Sequence, residues 1–368
     1  MKKVKKILII VQRSNGDVFM SLKLIKELYD FYLSPQIDLL VNDDTFEVAK
    51  LLPYVNNIHL FSYQKKQEKR FLQEKTIIKK IFKKYDLSIN LTASDRSVIY
   101  SILASNNSIS AIEKDNKKSW WKKKFLTHFY FFDFQSHILS NNLKPLELLK
   151  INYKISLPSI SIEDQVIQNI KNKLFTLGIK KNFVIFHPSA QYKYKIYPQH
   201  LRDILLGLLS KLDTQIVVTG SKNLIDTQIK NQLPVLANVF DLIGETSLEE
   251  YLALSHLSLA YIGMDTLNMH LAASQNKRIF AIYGPTRLTM WSPWSNHSMK
   301  SATYDSPSQT YSNITIFQSN MPCVACGKAG CDDKHGRSEC LYDIDPSFIF
   351  NEISEWFKFK DLEVEMKI

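Results

Sequence analysis

The chain has 368 residues, of which 45% are hydrophobic and 23% charged, a composition typical of a globular protein and unlike that of a disordered one. This length favours two domains of roughly 150–180 residues each. The net charge of +11 indicates an anionic partner. Charge alone leaves open whether that partner is nucleic acid, an acidic lipid surface or a phosphorylated substrate.

The N-terminus is basic and leads into a short apolar run, Ile7 to Val11, that stops at Gln12. A secretory signal needs about 7–15 apolar residues. No stretch of the sequence approaches the ~18 apolar residues of a membrane span. We therefore expect a cytoplasmic protein in which this run is the first buried strand of a parallel sheet.

Short β-branched runs alternate with helical patterns along the chain, which favours parallel sheets with crossover helices. The predicted strands are 6–11, 36–41, 86–91, 107–112, 182–187, 215–219, 257–263 and 278–283. The clearest helical spacing of apolar residues follows Pro198. Proline also suits the first turn of a helix. Another helix is predicted to begin at Ser247, where Glu250 completes a capping box.

The segment from about 140 to 180 is rich in turn residues and marks the boundary between two halves. We predict an N-terminal domain over 1–160 and a C-terminal domain over 161–345, each with a Rossmann-like sheet. The segment 346–368 is predicted to form a final helix, whose apolar side chains need an apolar surface to pack against. We expect it to pack back on the N-terminal domain.

The first candidate site comes directly after the first strand, at Arg13, Ser14, Asn15, Gly16 and Asp17. Ligands of open α/β sheets collect at the carboxyl ends of strands, so a carboxylate here is placed for chemistry. The local sequence is equally compatible with Asp17 acting only as a helix cap. A dinucleotide site is not indicated, because the glycine pattern of such sites is missing.

The second candidate site follows the strand 182–187 and contains His187, Ser189 and Lys195. A lysine beside a helix N-terminus can bind phosphate. In isolation, Lys193 and Lys195 fit better as solvated loop charges.

The third candidate site runs from Asp265 and Thr266 to His270, with Gly284, Pro285 and Thr286 after the next strand. Helix amides beside Thr266 are suited to a pyrophosphate. A lone helical histidine such as His270 is more often a packed core residue than a base.

A basic aromatic stretch covers 119–134 and includes Trp120, Trp121, Lys122, Lys123 and Lys124. Paired tryptophans beside three lysines suit an anionic membrane interface or the acceptor. The alternative is an amphipathic helix with an aromatic core face. Nucleic acid could use the same residues, but no nucleic-acid module accompanies them, so we expect no nucleic-acid partner.

Four cysteines lie close together at Cys323, Cys326, Cys331 and Cys340. As thiolates they could hold a structural zinc, although the spacing is not the usual pair of knuckles. Reduced cysteines that only pack are as compatible with the pattern, and disulfides are disfavoured in a reducing cytosol.

Taken in order, these motifs resemble glycosyltransferase family 9, the ADP-heptose:lipopolysaccharide heptosyltransferases, and most of all the heptosyltransferase III type. The resemblance covers nearly the whole chain. Its motifs are the 13–17 segment, the His187–Pro198 segment, Thr219 with Gly220, the 241–248 segment, Asp265 to Ala273, and Tyr283 to Thr286. The cysteine segment is also similar to that family.

The resemblance implies a GT-B fold, with two Rossmann-like domains facing a central cleft, and transfer with inversion and without a required cofactor or metal. It implies a heptose donor, ADP-heptose, and an acceptor in the inner core or lipid A part of lipopolysaccharide, reached from the inner face of the inner membrane. Asp17 matches the general base and Lys195 the donor-phosphate lysine. The implied donor residues are His187, Ser189, Lys195, Thr219, Gly220, Asp265, Thr266, His270, Gly284, Pro285 and Thr286. The implied acceptor residues are Arg13, Ser14, Asn15 and Gly16.

Two positions depart from the family pattern. Leu267 stands where a glycine is usual after the Asp-Thr pair, and a side chain there restricts how closely the backbone approaches phosphates. Ser221, Lys222 and Asn223 stand where an acidic residue often binds the nucleoside. Another nucleotide-sugar donor is therefore an alternative, as is a non-catalytic homologue that binds glycolipid or nucleotide.

Overall fold

The computed structural model describes residues 4–114 and 117–365, with the side chains of 67–70, 118 and 360–365 left out. Residues 366–368, the end of the predicted C-terminal segment, lie outside the described residues. The chain divides into two compact units, Met1–Ile160 and Ser161–Ile368. In the described part of the chain, no helix is both long and apolar enough to cross a lipid bilayer.

The first unit is built around a six-stranded sheet whose neighbouring strands all run parallel, in the order β3-β2-β1-β4-β5-β6. Its strands are β1 (Lys6–Val11), β2 (Gln36–Asn42), β3 (Val55–Phe61), β4 (Leu87–Asn90), β5 (Ser108–Ile112) and β6 (His128–Phe131). Its helices are α1 (Asn15–Phe19), α2 (Leu22–Phe31), α3 (Phe46–Leu51), α4 (Tyr63–Ile81), α5 (Asp95–Ala104), α6 (Trp120–Phe125) and α7 (Ile138–Leu148).

β1 lies in the middle of this sheet, and the strand order reverses between β1 and β4. Every residue from Ile7 to Val11 is buried, because a central parallel strand is covered on both faces. At such a reversal the connections diverge to opposite faces and leave a crevice at the carboxyl ends of the strands. The segment 13–17 follows β1 at this edge.

The second unit has a seven-stranded sheet in the order β12-β13-β11-β10-β7-β8-β9, parallel except for the β12–β13 pair. Its strands are β7 (Phe183–His187), β8 (Gln215–Gly220), β9 (Val239–Ile243), β10 (Ala260–Met264), β11 (Arg278–Ile282), β12 (Gln309–Tyr311) and β13 (Ile314–Phe317). Its helices are α8 (Asp164–Thr176), α9 (Gln199–Leu209), α10 (Leu224–Lys230), α11 (Leu248–Leu257), α12 (Leu267–Ser274), α13 (Leu288–Trp291), α14 (Glu339–Tyr342) and α15 (Pro346–Glu365).

β10 approaches β7 closely at Gly263. A Cβ on this residue would lie 2.3 Å from the His187 carbonyl oxygen, so no side chain fits. Gly263 is paired with His187 in the sheet. The close approach brings the carboxyl ends of two strands together, just before Asp265.

The C-terminal helix packs on the core of its own unit. Ile349 and Ile353 are buried in the core of the second unit, with Trp356 packed against that core, and the predicted packing on the N-terminal domain stays a prediction. The helix α15 lies against α9. Each helix has an apolar stripe, and packing the two stripes against each other removes both from water.

The α/β class with parallel sheets is confirmed, and each predicted strand has an observed counterpart within a few residues. The pattern did not identify β3, β6, β9, β12 or β13. β3, β6, β9 and β12 are edge strands of their sheets, and β3 carries exposed polar residues such as Asn56 and Asn57. Edge strands are half-solvated, which breaks the continuous apolar run by which a buried parallel strand is recognised.

Candidate functional site

The first candidate site lies where β1 turns into α1. The Ser14 hydroxyl lies 2.6 Å from Asp17 Oδ2, which also accepts the Ser14 backbone N–H at 3.3 Å, so Asp17 takes part in a capping box. Arg13 Nε lies 2.9 Å from the other carboxylate oxygen, and its guanidinium is 5.1 Å from the ring centroid of Phe132. The buried Asp17 carboxylate is thus held from two sides. Capping and a chemical role are compatible in this arrangement.

Buried amide side chains at the same edge were missed by the sequence reasoning. Gln12 is 5% exposed, and neither polar atom of its side chain has a hydrogen-bond partner among the described residues. Asn42 donates to the Arg13 carbonyl at 3.2 Å, but its Oδ1 has no partner among the described residues. Asn15, which the sequence did predict as a site residue, likewise has an Oδ1 without a partner among the described residues. Unpaired buried polar groups cost about 1–3 kcal/mol each, so they need an explanation such as a bound ligand. A glutamine after an apolar strand was too weak a signal to select.

Lys195 and Asp265 form an ion pair in the second unit. Lys195 lies in the short turn Lys193–Lys195 after β7, and its Nζ is 2.8 Å from Asp265 Oδ2. Burial works to lower the pKa of Lys195, but the Asp265 carboxylate outweighs it and the pKa is raised. The lysine is therefore a fixed cation. Lys193, by contrast, is exposed, as expected of a solvated loop charge.

His187 ends β7 and is buried against two polar side chains. Its Nδ1 lies 2.9 Å from Thr219 Oγ1, and Asn268 Nδ2 lies 3.3 Å from Nδ1 and 3.4 Å from Nε2. Burial lowers the pKa of His187 to about 4, although the Asp226 carboxylate acts in the opposite direction. The imidazole is thus neutral at physiological pH and acts as a hydrogen-bonding group. Asn268 was not identified from the sequence.

Asp226 is a buried carboxylate close to the segment after Gly220, which has no acid directly after the Thr-Gly pair. Its side chain accepts hydrogen bonds from the Ser189 hydroxyl and from the Ser221 backbone N–H. Asp226 is 2% exposed and lies in the first turn of α10. It therefore ties the loop after β7 to the loop after β8. Asp226 was not predicted from the sequence, because it lies within α10 and not directly after the Thr-Gly pair.

The remaining predicted donor residues follow β10 and β11. Thr266 precedes α12, and its side chain does not cap that helix. Gly284, Pro285 and Thr286 are buried, and Gln318 Nε2 donates to the carbonyls of Gly284 at 3.1 Å and Thr286 at 3.3 Å. β11, β10, β7 and β8 are consecutive in the sheet, so these residues share one edge with His187 and Lys195. His270 is buried within α12, as a packed core histidine would be.

The basic aromatic stretch is only partly exposed, which corrects the sequence interpretation. Trp120 is 65% exposed, and Lys123 and Lys124 are also exposed. Trp121 packs on a small core that contains Val98.

Lys122 is 1% exposed. Its Nζ lies 2.8 Å from Asp95, 3.0 Å from Glu113 and 2.7 Å from the Ala93 carbonyl. Because those contacts hold Lys122 inside the fold, it is not available to a membrane.

The four cysteines are free thiols in a segment after β13. Cys340 is buried and the other three are exposed. Burial and the neighbouring thiols raise the pKa of Cys340 to about 12, and the Glu339 backbone N–H donates to Cys331 Sγ at 3.3 Å. Within the described residues, no three His, Cys, Asp or Glu side chains are gathered so as to hold a metal ion.

Known proteins show the same architecture. The structure of E. coli ADP-heptose lps heptosyltransferase II matches with a TM-score of 0.71 at 18% identity, covering 97% of this chain and 99% of that one. E. coli heptosyltransferase WaaC with ADP matches with a TM-score of 0.69 at 16% identity, covering 95% and 99%. These likenesses confirm the GT-B class of fold.

Sequence comparison gives relatives of the same kind. Two proteins called lipopolysaccharide heptosyltransferase 3, from Escherichia coli and from its strain K12, are 23% and 25% identical to this chain. The matches cover 78% and 77% of this chain and 86% and 84% of the relatives. The family model for glycosyltransferase family 9 (heptosyltransferase) matches residues 75–318. Because that match spans more than half of the sequence, the chain belongs to glycosyltransferase family 9, the heptosyltransferases, and is a glycosyltransferase.

Proposed function

We propose that the protein transfers a heptose from ADP-heptose to the inner core of lipopolysaccharide, with inversion and without a metal. The observation that carries the proposal is the Lys195–Asp265 ion pair at the edge shared by β7 and β10. The relatives named lipopolysaccharide heptosyltransferase 3 support the acceptor class. A similar E. coli heptosyltransferase solved with ADP-2-deoxy-2-fluoro heptose supports the donor class.

In this mechanism the acceptor hydroxyl attacks the anomeric carbon as the bond from that carbon to the ADP oxygen breaks. Asp17 takes the hydroxyl proton, since a positioned carboxylate is a common general base. Arg13 and Ser14 hold the carboxylate at the carboxyl end of β1. The product is the glycoside of opposite anomeric configuration, with ADP as leaving group.

The negative charge that develops on ADP is stabilised by groups of the second unit. The Lys195 ammonium is held in place by Asp265, and the N-terminal amides of α12 follow directly. A fixed cation and helix-terminal amides stabilise a leaving diphosphate without needing to reorganise. These groups do the work that a magnesium ion does in other nucleotide-sugar enzymes, which is the physical basis for proposing metal independence.

The acceptor sugars are proposed to meet the buried amides beside Asp17. Gln12 and Asn42 each carry a side-chain atom with no hydrogen-bond partner among the described residues. Sugar hydroxyls are donors as well as acceptors, so they can satisfy both ends of such amides. Together with Arg13, Ser14, Asn15 and Gly16, these side chains form the proposed acceptor set.

A donor screen on the purified protein tests the proposal. ADP-heptose, other ADP-sugars and UDP-sugars are each incubated with truncated lipopolysaccharide, and the product mass is measured with and without EDTA. We expect addition of one heptose from ADP-heptose, unaffected by EDTA. Activity that is lost on chelation and restored by Mg²⁺ or Mn²⁺ overturns metal independence, and binding of donor and acceptor without any product supports a non-catalytic homologue.

A different nucleotide-sugar is the second candidate, because two features of the donor edge depart from the family pattern. Asp226 is turned inward on Ser189 and Ser221, so it is already occupied by contacts within the protein. Leu267 opens α12 where a glycine is usual. Preference for a donor other than ADP-heptose in the screen favours this candidate.

The protein is further proposed to work in the cytoplasm, attached peripherally to the inner face of the inner membrane. The proposed acceptor is anchored in that membrane, and the exposed Trp120, Lys123 and Lys124 are suited to its anionic surface. Lys122 is excluded from this surface because it is buried with Asp95 and Glu113.

Structural zinc at the cysteine segment stays a prediction. Cys340 is buried next to Glu339, whose backbone N–H donates to Cys331 Sγ at 3.3 Å, and this closeness of two of the four cysteines supports a shared site. The observed arrangement does not yet gather three ligands among the described residues. Zinc binding therefore requires the exposed cysteines Cys323, Cys326 and Cys331 to close on Cys340.

A further inference from the structure

The cysteine-rich segment Cys323–Cys340 contacts the loop that carries Lys195. The Ser338 hydroxyl donates to the Tyr194 carbonyl at 2.7 Å, and Ser338 is 2% exposed. The His335 ring lies 5.9 Å from the Tyr192 ring and 5.7 Å from the Tyr194 ring, measured between centroids. The two tyrosines stack on each other at 5.4 Å and 13°.

Hydrogen bonds within the segment hold the backbone around His335 in place. Asp332 Oδ1 accepts the backbone N–H of Lys334 at 2.9 Å and of Gly336 at 3.1 Å, and these bonds lower the pKa of the Asp332 carboxyl. The backbone N–H of His335 donates to the Ala329 carbonyl at 2.7 Å.

Gly330 lets this turn close on itself. It has a φ of +86°, and a Cβ there would lie 2.7 Å from the Gly336 carbonyl oxygen. Only glycine meets both demands. The turn from Gly330 to Gly336 therefore has a defined backbone conformation.

A second set of contacts joins the same segment to the loop after β11. The Gly327 backbone N–H donates to the Pro285 carbonyl at 2.8 Å. Leu341, next to Cys340, packs against Gly284, where a Cβ would lie 3.1 Å from the leucine side chain. The segment thus touches both loops that flank β10 and Asp265 at the proposed donor edge.

We propose that His335 and Ser338 are positioning residues for donor binding, which act by holding the Tyr192–Tyr194 backbone so that Lys195 meets the donor diphosphate. The inference rests on the proposed donor role of Lys195. Lys195 follows Tyr194 directly, so displacement of the Tyr194 carbonyl displaces the lysine backbone with it. A misplacement of about 1 Å at a reacting group can cost on the order of 10²-fold in rate. The cysteine-rich segment is in this view part of the donor site.

Two substitutions test the inference. Ser338→Ala removes the hydrogen bond to Tyr194. His335→Asn removes the ring but suits the left-handed backbone at φ +68°, where asparagine and histidine are both favoured. Each is expected to weaken ADP binding, measured by calorimetry, by about 3- to 10-fold, the size of one lost hydrogen bond. The KM for the donor should rise by a similar factor while the KM for the acceptor stays unchanged, a split that general destabilisation does not produce.

Ser258→Ala is the matched control. Ser258 is also buried and donates to a backbone carbonyl, that of Ser255, at 2.9 Å, but it precedes β10 at the opposite end of the strand from Asp265. We expect this variant to bind ADP as the unmodified protein does.

Lys195→Ala separates the two ways in which the test can fail. If Lys195→Ala weakens ADP binding and the Ser338 and His335 variants do not, the positioning role is wrong and the donor site stands. If Lys195→Ala itself binds ADP normally, the proposed donor site is wrong.

Discussion

Lys195 and Asp265 stand 70 positions apart in the chain, yet the lysine Nζ lies 2.8 Å from the aspartate Oδ2. They meet because β7 and β10 are adjacent in the sheet and each is followed at its carboxyl end by one member of the pair. A lysine ammonium has three donors, so it can keep Asp265 and still bind a phosphate oxygen. Under the proposed function, the pair is therefore a preformed positive group for the donor diphosphate.

Lys195→Ala is expected to lower kcat/KM for the donor by roughly 10²–10³-fold, the usual cost of losing a group that stabilises developing negative charge. Steady-state kinetics with varied donor concentration measures the effect. Lys193→Ala is the matched control, because Lys193 lies in the same turn but is exposed. If both variants lose kcat/KM for the donor equally, the effect comes from the overall charge of the loop and not from the ion pair.

Asp17→Asn is expected to lower kcat by roughly 10²–10⁴-fold, the contribution of a general base. The amide oxygen still accepts hydrogen bonds from Ser14, so the fold should survive, which circular dichroism and thermal unfolding check. Asp43→Asn, at the exposed end of β2, gives the same charge change at the same edge and should leave kcat unchanged. Near-normal turnover of Asp17→Asn reduces Asp17 to a helix cap.

His187 is expected to make stability depend on pH. Burial depresses its pKa from 6.5 to about 4 in the folded protein, so its contribution to stability is present above pH 6.5 and is lost as pH falls towards 4. Since one pKa unit corresponds to about 1.4 kcal/mol, the loss is at most about 3 kcal/mol. Urea unfolding at pH 7 and pH 4.5 should therefore show a smaller loss for His187→Gln than for the unmodified protein.

His128→Gln serves as the control for that experiment, because His128 is exposed on β6. It should keep the pH dependence of the unmodified protein. If His187→Gln and the unmodified protein lose the same free energy of unfolding on acidification, the buried imidazole is not the source.

The exposed lysines of α6 are expected to support membrane attachment. The protein should sediment with anionic liposomes at low salt and be released as salt rises, since exposed charges are screened. The pair Lys123→Gln and Lys124→Gln should weaken sedimentation, because each lysine near an anionic surface contributes about 1 kcal/mol. The double variant Lys180→Gln and Lys181→Gln makes the same charge change on exposed lysines of the second unit. Equal weakening by both double variants contradicts a specific surface on α6.

Lys122→Gln is expected to behave differently from its neighbours. Its ammonium is bonded to Asp95, Glu113 and the Ala93 carbonyl, and hydrogen bonds to charged groups contribute roughly 1.5–3 kcal/mol. The variant should unfold at lower temperature. A variant of normal stability that no longer sediments would restore Lys122 to the membrane surface.

Metal analysis of the purified protein tests the cysteine segment. We expect about one zinc per chain, released by thiol modification, since structural zinc is held by four ligands. Cys326→Ser should remove the metal and lower the unfolding temperature. A protein purified without metal shows that these cysteines only pack, and it leaves the proposed transfer reaction untouched.

The fold class and most of the candidate residues could be predicted from sequence because they depend on local patterns. A central parallel strand such as β1 is a continuous apolar run, and polar residues just after such a run lie at the ligand edge of the sheet. The capping box at Ser247 and Glu250 is present as predicted, because it involves residues within one helical turn.

Contacts between distant segments were decided only by the tertiary structure. The Trp-Lys-Lys-Lys run has no period that marks Lys122 as the buried member, and its burial depends on Asp95 and Glu113 being close to it in space. The partners of Lys195, of Asp226 and of the apolar face of α15 likewise come from other segments of the chain. Sequence spacing describes which residues share a strand or a helix face. Which of those faces pack against each other depends on the whole unit, in which apolar surface must be buried and buried charges must be paired at the same time.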